Sequence, residues 1–191
     1  MKTMRTIGMM LMAAMMAFSM SACTNENDDN SVPAGLDGGG ARGASSITVN
    51  GTTFSVYHAC WDAKVLNGSD TFYTLSIYNS SSLGGADPFD TVSIVYKVVN
   101  GSQTDLATGE FTSFDVCVSR LSSDDTKDKL YYGYSSEYGN AGKLKVTKSG
   151  SGYQIEFGAM KYVVEGSPEA TTYDGTAFSF SGAVAKGLLV Q

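Results

Sequence analysis

Histidine is almost absent from this chain. Among 191 residues, His58 is the sole histidine and Trp61 the sole tryptophan, and proline and cysteine number three each. One imidazole and a few dispersed thiols match no zinc-ligand spacing, so no metal and no cofactor is expected. Cationic residues are also scarce, 13 against 19 acidic ones. An acidic chain with scattered lysines lacks the basic footprint that a phosphate backbone requires, which argues against nucleic acid as a partner. No apolar run reaches the roughly 20 residues that a membrane-spanning helix needs. There is no glycine-rich phosphate loop, no serine elbow and no catalytic carboxylate pair at a recognisable spacing.

What is present begins at the N-terminus. Lys2 and Arg5 precede an apolar stretch, Ile7 to Ala17, followed by Ser21, Ala22 and Cys23. A basic start, a short apolar run and small residues form an export signal. The signal is expected to span residues 1–22, with Cys23 as the first residue of the mature chain. An ordinary secretory signal cut nearby, or an uncleaved anchor, is the competing reading. Met20-Ser21-Ala22-Cys23 resembles the bacterial lipobox, with Met20 where Leu is commonest. That resemblance implies lipidation of Cys23, including a diacylglycerol on sulfur and an acyl chain on the amine. Two or more acyl chains hold a protein stably to a bilayer where one does not. The following Thr24-Asn25-Glu26-Asn27-Asp28-Asp29-Asn30 resembles the acidic export signal of surface lipoproteins in Bacteroidetes-type bacteria. The same residues also read as a solvated tether. The implied location is the outer membrane, facing outward.

Eight of the nine methionines fall in residues 1–22. Without those residues the chain keeps 11 basic and 19 acidic side chains, a formal charge of −8. Residues 23–46 contain Gly38-Gly39-Gly40 and isolated hydrophobes, and are expected to be a flexible tether. Residues 47–191 suffice for one domain with its own core.

The period from Ile47 onward is two. Tyr73, Leu75 and Ile77 share a face, as do Leu144 and Val146, then Tyr153, Ile155 and Phe157, then Phe178 and Phe180. Val92 to Val99 is apolar on both faces apart from Ser93 and Lys97, as a central strand would be. Asn50-Gly51, Asn67-Gly68, Asn100-Gly101 and Asp174-Gly175 read as turns, since a type I′ turn needs positive φ twice. No window shows sustained helical spacing. The expectation is an all-β domain, a single antiparallel β-sandwich of about 8–10 strands, with a meander β-barrel as the alternative. The segment Gly142 to Gly150, with Gly152 to Phe157 and Phe178 to Gly182, resembles a closing hairpin and strand common in small Bacteroidetes lipoproteins of unknown function. It implies habitat and fold, not an activity.

Several residues are candidates for more than packing. Cys60 and Cys117 remain once Cys23 carries lipid, and an exported pair suggests a disulfide; two separate thiols are the alternative. His58, Cys60 and Asp62 share a strand face, but consecutive same-face positions do not build a nucleophile–base–acid triad. Asp124, Asp125 and Asp128 are interleaved with Lys127 and lack a calcium-loop pattern, which reads as a solvated loop. Tyr131, Tyr132, Tyr134 and Tyr138 form the densest aromatic group. Tyr132 and Tyr134 share a face and are the candidates for stacking on a glycan, against a core face that rings would equally suit. Asp90-Thr91-Val92 resembles the motif at which Bacteroidetes attach O-glycans, with Thr91 as acceptor. An ordinary strand start reads the same. The functional expectation is an outer-membrane lipoprotein with a binding or structural role, in contact with a glycan, an adhesin or an envelope protein, and not an enzyme. The rival is a small hydrolase acting on carbohydrate or peptide.

Overall fold

A computed structural model describes residues 45–66, 69–79, 88–122, 130–135, 142–164 and 171–187. Among these every regular element is a strand. In chain order they are β1 (Ser45–Val49), β2 (Thr52–Val56), β3 (His58–Leu66), β4 (Asp70–Tyr78), β5 (Phe89–Val99), β6 (Gly109–Phe111) and β7 (Phe114–Leu121). Then follow β8 (Leu130–Ser135), β9 (Leu144–Ser149), β10 (Gly152–Phe157), β11 (Met160–Val164), β12 (Thr172–Gly175), β13 (Phe178–Gly182) and β14 (Ala185–Lys186).

The strands form two sheets. The larger has the order β14-β3-β4-β5-β7-β8-β11-β12-β1-β2, and the smaller β13-β10-β9-β6. The large sheet curls until β2, at its edge, lies over β5 and beside β4 and β7. The small sheet packs against the inner face of that curl. Phe114 of β7 meets Phe157 of β10 at 6.4 Å between ring centroids, and Tyr96 of β5 meets Phe111 of β6 at 4.4 Å. The result is a sandwich in which one layer is bent into a half-barrel.

Alternation explains which side chains face inward. Tyr73, Leu75 and Ile77 are fully buried, as are Val92, Ile94 and Tyr96 on the next strand. Leu144, Val146, Ile155, Phe157, Phe178 and Phe180 supply the small sheet's contribution. Each such aliphatic or aromatic side chain removed from water contributes about 1.5–3 kcal/mol. β5 is a central strand, paired along its length with β4 and β7.

The turns divide less simply. Asn50 and Gly51 have φ of 50° and 75°, the two positive values that a type I′ hairpin requires. Asn100 is also left-handed, but the chain leaves β5 there for the segment 101–108 and not for a hairpin partner. Asp174-Gly175 is no turn: both residues pair with β11 inside β12. Gly175 is glycine because a Cβ there would overlap the Tyr162 ring. Asn67-Gly68 lies outside the described residues.

The all-β sandwich stands, with two details that differ from the expectation. The described residues hold fourteen strands against the 8–10 expected, and β6, β12 and β14, of two to four residues, are too short to show alternation. One pairing, β14 with β3, is parallel.

Candidate functional site

Cys60 and Cys117 do not bond to each other. Cys60 pairs with Ser76, Ser76 with Ser93, and Ser93 with Cys117, so the two cysteines lie on one line across β3, β4, β5 and β7. Three interstrand steps of about 4.8 Å separate them by roughly 14 Å, where a disulfide tolerates about 7 Å between Cα atoms. Cys117 is a buried thiol outside any disulfide.

Tyr132 and Tyr134 are 6% and 7% exposed, and both face the core. Tyr132 meets Phe54 edge-on at 6.1 Å and Tyr173 at 5.7 Å, and its hydroxyl accepts from Asn50 Nδ2 at 3.5 Å. Tyr134 packs 5.5 Å from Phe114 and 6.3 Å from Tyr162. Neither ring presents a face to a sugar. The alternation that put them together was right, but the shared side is the inner one. Tyr138, Cys23 and the Asp124, Asp125 and Asp128 group lie outside the described residues.

Thr91 is only 8% exposed, and its hydroxyl lies 2.6 Å from that of Ser119 on the neighbouring strand. An acceptor so enclosed is not open to a glycosyl donor in the folded domain. Its neighbour Asp90 explains the local sequence better. Arg120 Nε donates to Asp90 Oδ1 at 2.6 Å and Nη2 to Oδ2 at 3.0 Å. Asp90 Oδ2 also accepts from the Ser55 backbone N–H at 2.9 Å, and Arg120 Nη2 donates to the Thr53 carbonyl. Counting from the Asn50-Gly51 turn, Thr53 and Ser55 aim their backbone groups away from β1. The ion pair therefore meets the edge of β2 where another strand would otherwise pair. The guanidinium also sits 5.3 Å over the Phe54 ring. Its hydrogen bonds to Asp90 raise the Arg120 pKa further.

A second aromatic arrangement is sealed inside. Trp61, Tyr73, Tyr96 and Phe111 form a ladder with centroid steps of 6.1, 5.3 and 4.4 Å. The segment 101–108 covers it. Tyr73 donates to the Ser102 carbonyl, Tyr96 to the Ala107 carbonyl and Thr71 to the Gly101 carbonyl. Lys186 Nζ reaches the Gln103 carbonyl while lying 5.4 Å from the Trp61 ring centroid. Burial raises the pKa of Tyr96 strongly, with smaller contributions from Tyr73 and Tyr153.

The aromatic surface that remains lies elsewhere. Tyr57, between β2 and β3, is 38% exposed. Its ring is 4.7 Å from that of His58, and His58 is 5.7 Å from Tyr78. His58 and Tyr78 are half-buried cross-strand partners. The Tyr57 amide donates to the Tyr78 carbonyl at 3.0 Å and ties the group together. Burial raises the Tyr78 pKa. A phase slip produces this cluster. Phe54 and Val56 point inward at even positions, whereas Ala59, Trp61 and Ala63 point inward at odd ones. The change of phase leaves Tyr57 and His58 both outside the core. That slip is visible in the amino-acid sequence and was the signal available for finding the cluster.

Among the described residues no three His, Cys, Asp or Glu side chains gather as metal ligands. No described helix is long and apolar enough to cross a membrane. Comparison with family models, curated proteins and solved structures finds no match to this chain.

Proposed function

We propose that this protein is a lipid-anchored surface lipoprotein of the bacterial outer membrane, held through Cys23, whose β domain binds a glycan. The observation that carries the binding role is the exposed ring of Tyr57, flanked by His58 and Tyr78. Aromatic rings with polar tips offer an apolar face and hydrogen bonds together, which suits a sugar ring. The rival hydrolase needs two carboxylates converging on one pocket. Asp90, the buried carboxylate among the described residues, is instead engaged by Arg120 and the β2 backbone. The anchor rests on the small-residue cut before Cys23, the basic start and the short apolar run.

Two experiments test this reading separately. Glycan-array binding and thermal melting of Tyr57→Ala should show lost binding with an unchanged melting temperature. Removing one aromatic contact is expected to cost about 0.5–1.5 kcal/mol of affinity. A wild type that binds no glycan, or a variant that binds as well, refutes the site. Cys23→Ala should move the protein out of the membrane fraction. Mass spectrometry that finds no acyl group on the wild-type residue would remove the anchor.

A further inference from the structure

Buried tyrosine hydroxyls among the described residues mostly have partners. Tyr73 and Tyr96 donate to the backbone carbonyls of Ser102 and Ala107, and Tyr132 accepts from Asn50. Among the described residues, two buried side-chain atoms stand apart, the hydroxyls of Tyr134 and Tyr162, which have no hydrogen-bond partner. They are not scattered. The Val163↔Gly133 pairing sets β8 beside β11, with the two tyrosines on the inner face. Their rings are 6.3 Å apart and inclined by 59°. Burial raises the Tyr162 pKa, with smaller contributions from Tyr134 and Cys117.

A buried hydroxyl without a partner is costly, and such groups in folded proteins are nearly always met by protein or by ordered water. Two orphans on touching rings call for one shared partner. Phenylalanine at either position would have kept the ring packing without the unpaired group. We infer that Tyr134 and Tyr162 form a site for one buried water, bridged between their hydroxyls within the inner face of the large sheet. Burial raises both pKa values, so both phenols keep their protons at neutral pH. A single water oxygen can accept from both, and two polar partners are the minimum that retains an internal water. Phe114, 5.5 Å from Tyr134, belongs to the apolar wall beside it. The Tyr162 ring is held in turn by Gly175, where any side chain would displace it.

The test is a double-mutant cycle on the full chain, with a high-resolution crystal structure of the wild type. Tyr134→Phe and Tyr162→Phe should each lower the melting temperature. The double variant should lose less than the two single losses combined, since either change already strands the bridge. The wild-type density should show an ordered water within hydrogen-bond reach of both hydroxyls, absent from either single variant. Single variants that melt higher, with additive gains, would show the hydroxyls to be unsatisfied and would overturn the proposal. So would wild-type density with no atom between them, or with the two hydroxyls bonded directly to each other.

Discussion

Gly175 shows how much one missing side chain can decide. It closes β12, paired with Met160 on one side and Val49 on the other, under the ring of Tyr162. Alanine there would force the ring out of a fully buried position. Overpacking of this kind costs about 1–3 kcal/mol, so Gly175→Ala should melt well below the wild type in a denaturant or thermal titration. Gly51 offers the contrast, because a Cβ there meets nothing and only its φ of 75° resists substitution. Both glycines follow a polar residue, Asp174 or Asn50, and both pairs read alike as turn dipeptides. What separates them is the position of Tyr162, thirteen residues from Gly175 in the chain, and that is a tertiary fact.

The elements divide by how much of their environment is local. Strands with two clear faces, such as β4, β9 and β10, were legible because one face is buried and alternation records it. The hairpin β9–β10 with β13 beside it also followed from pattern. The short strands β6, β12 and β14 were not legible, since two to four residues carry no period. The tyrosines of β8 illustrate a different limit. Alternation places Tyr132 and Tyr134 on one side but cannot say whether that side is inner or outer. The outward cluster at Tyr57, His58 and Tyr78 came from the phase change between β2 and β3. Closure of the curl was hidden as well, because Asp90 and Arg120 meet Ser55 and Thr53 across long sequence separations. Arg120→Ala should test that closure. It strands a nearly buried carboxylate and removes the contact to the Thr53 carbonyl of β2. Loss of a buried partner costs about 3–5 kcal/mol, and the one-third exposure of Arg120 brings the expectation to about 1–3 kcal/mol. Hydrogen exchange at Ser55 should accelerate more than exchange in β4. Equal acceleration in both would mean that the pair does not hold the edge.

For the whole molecule, the buried tyrosines set a limit in alkali. Tyr73, Tyr96, Tyr134 and Tyr162 all have pKa values above the ordinary value of 10.0, chiefly through burial. Their folded forms therefore hold protons that the unfolded chain releases. The stability they lend is complete below pH of about 10 and falls as pH rises further, because the unfolded state gains by ionising first. Phenolate absorbance should then rise together with loss of strand circular dichroism. A large tyrosinate signal appearing while the fold is intact would show these hydroxyls to be open to solvent. The surface ion pairs Lys97–Asp70 and Lys161–Asp174 contribute at most about 1 kcal/mol each and should matter little to this limit.

The pairing of Ser45 with Val56 has a mechanical consequence. A chain anchored through Cys23 enters the domain at Ser45, and Tyr57 follows Val56 directly. The proposed membrane attachment and the proposed glycan contact would thus sit at the same open end of one hairpin. Tension between surface and ligand would pull β1 and β2 apart from that end, one pair at a time, toward Asn50-Gly51, uncovering Val56, Phe54, Ile47 and Val49 in the process. Unzipping of this kind meets bonds in succession and not all at once. The Asp90–Arg120 clip would then act as a brake, because it fastens β2 to β5 and β7. Single-molecule pulling between residues 45 and 57 should therefore give a low first rupture, lower still in Arg120→Ala, while the remaining strands of both sheets stay folded.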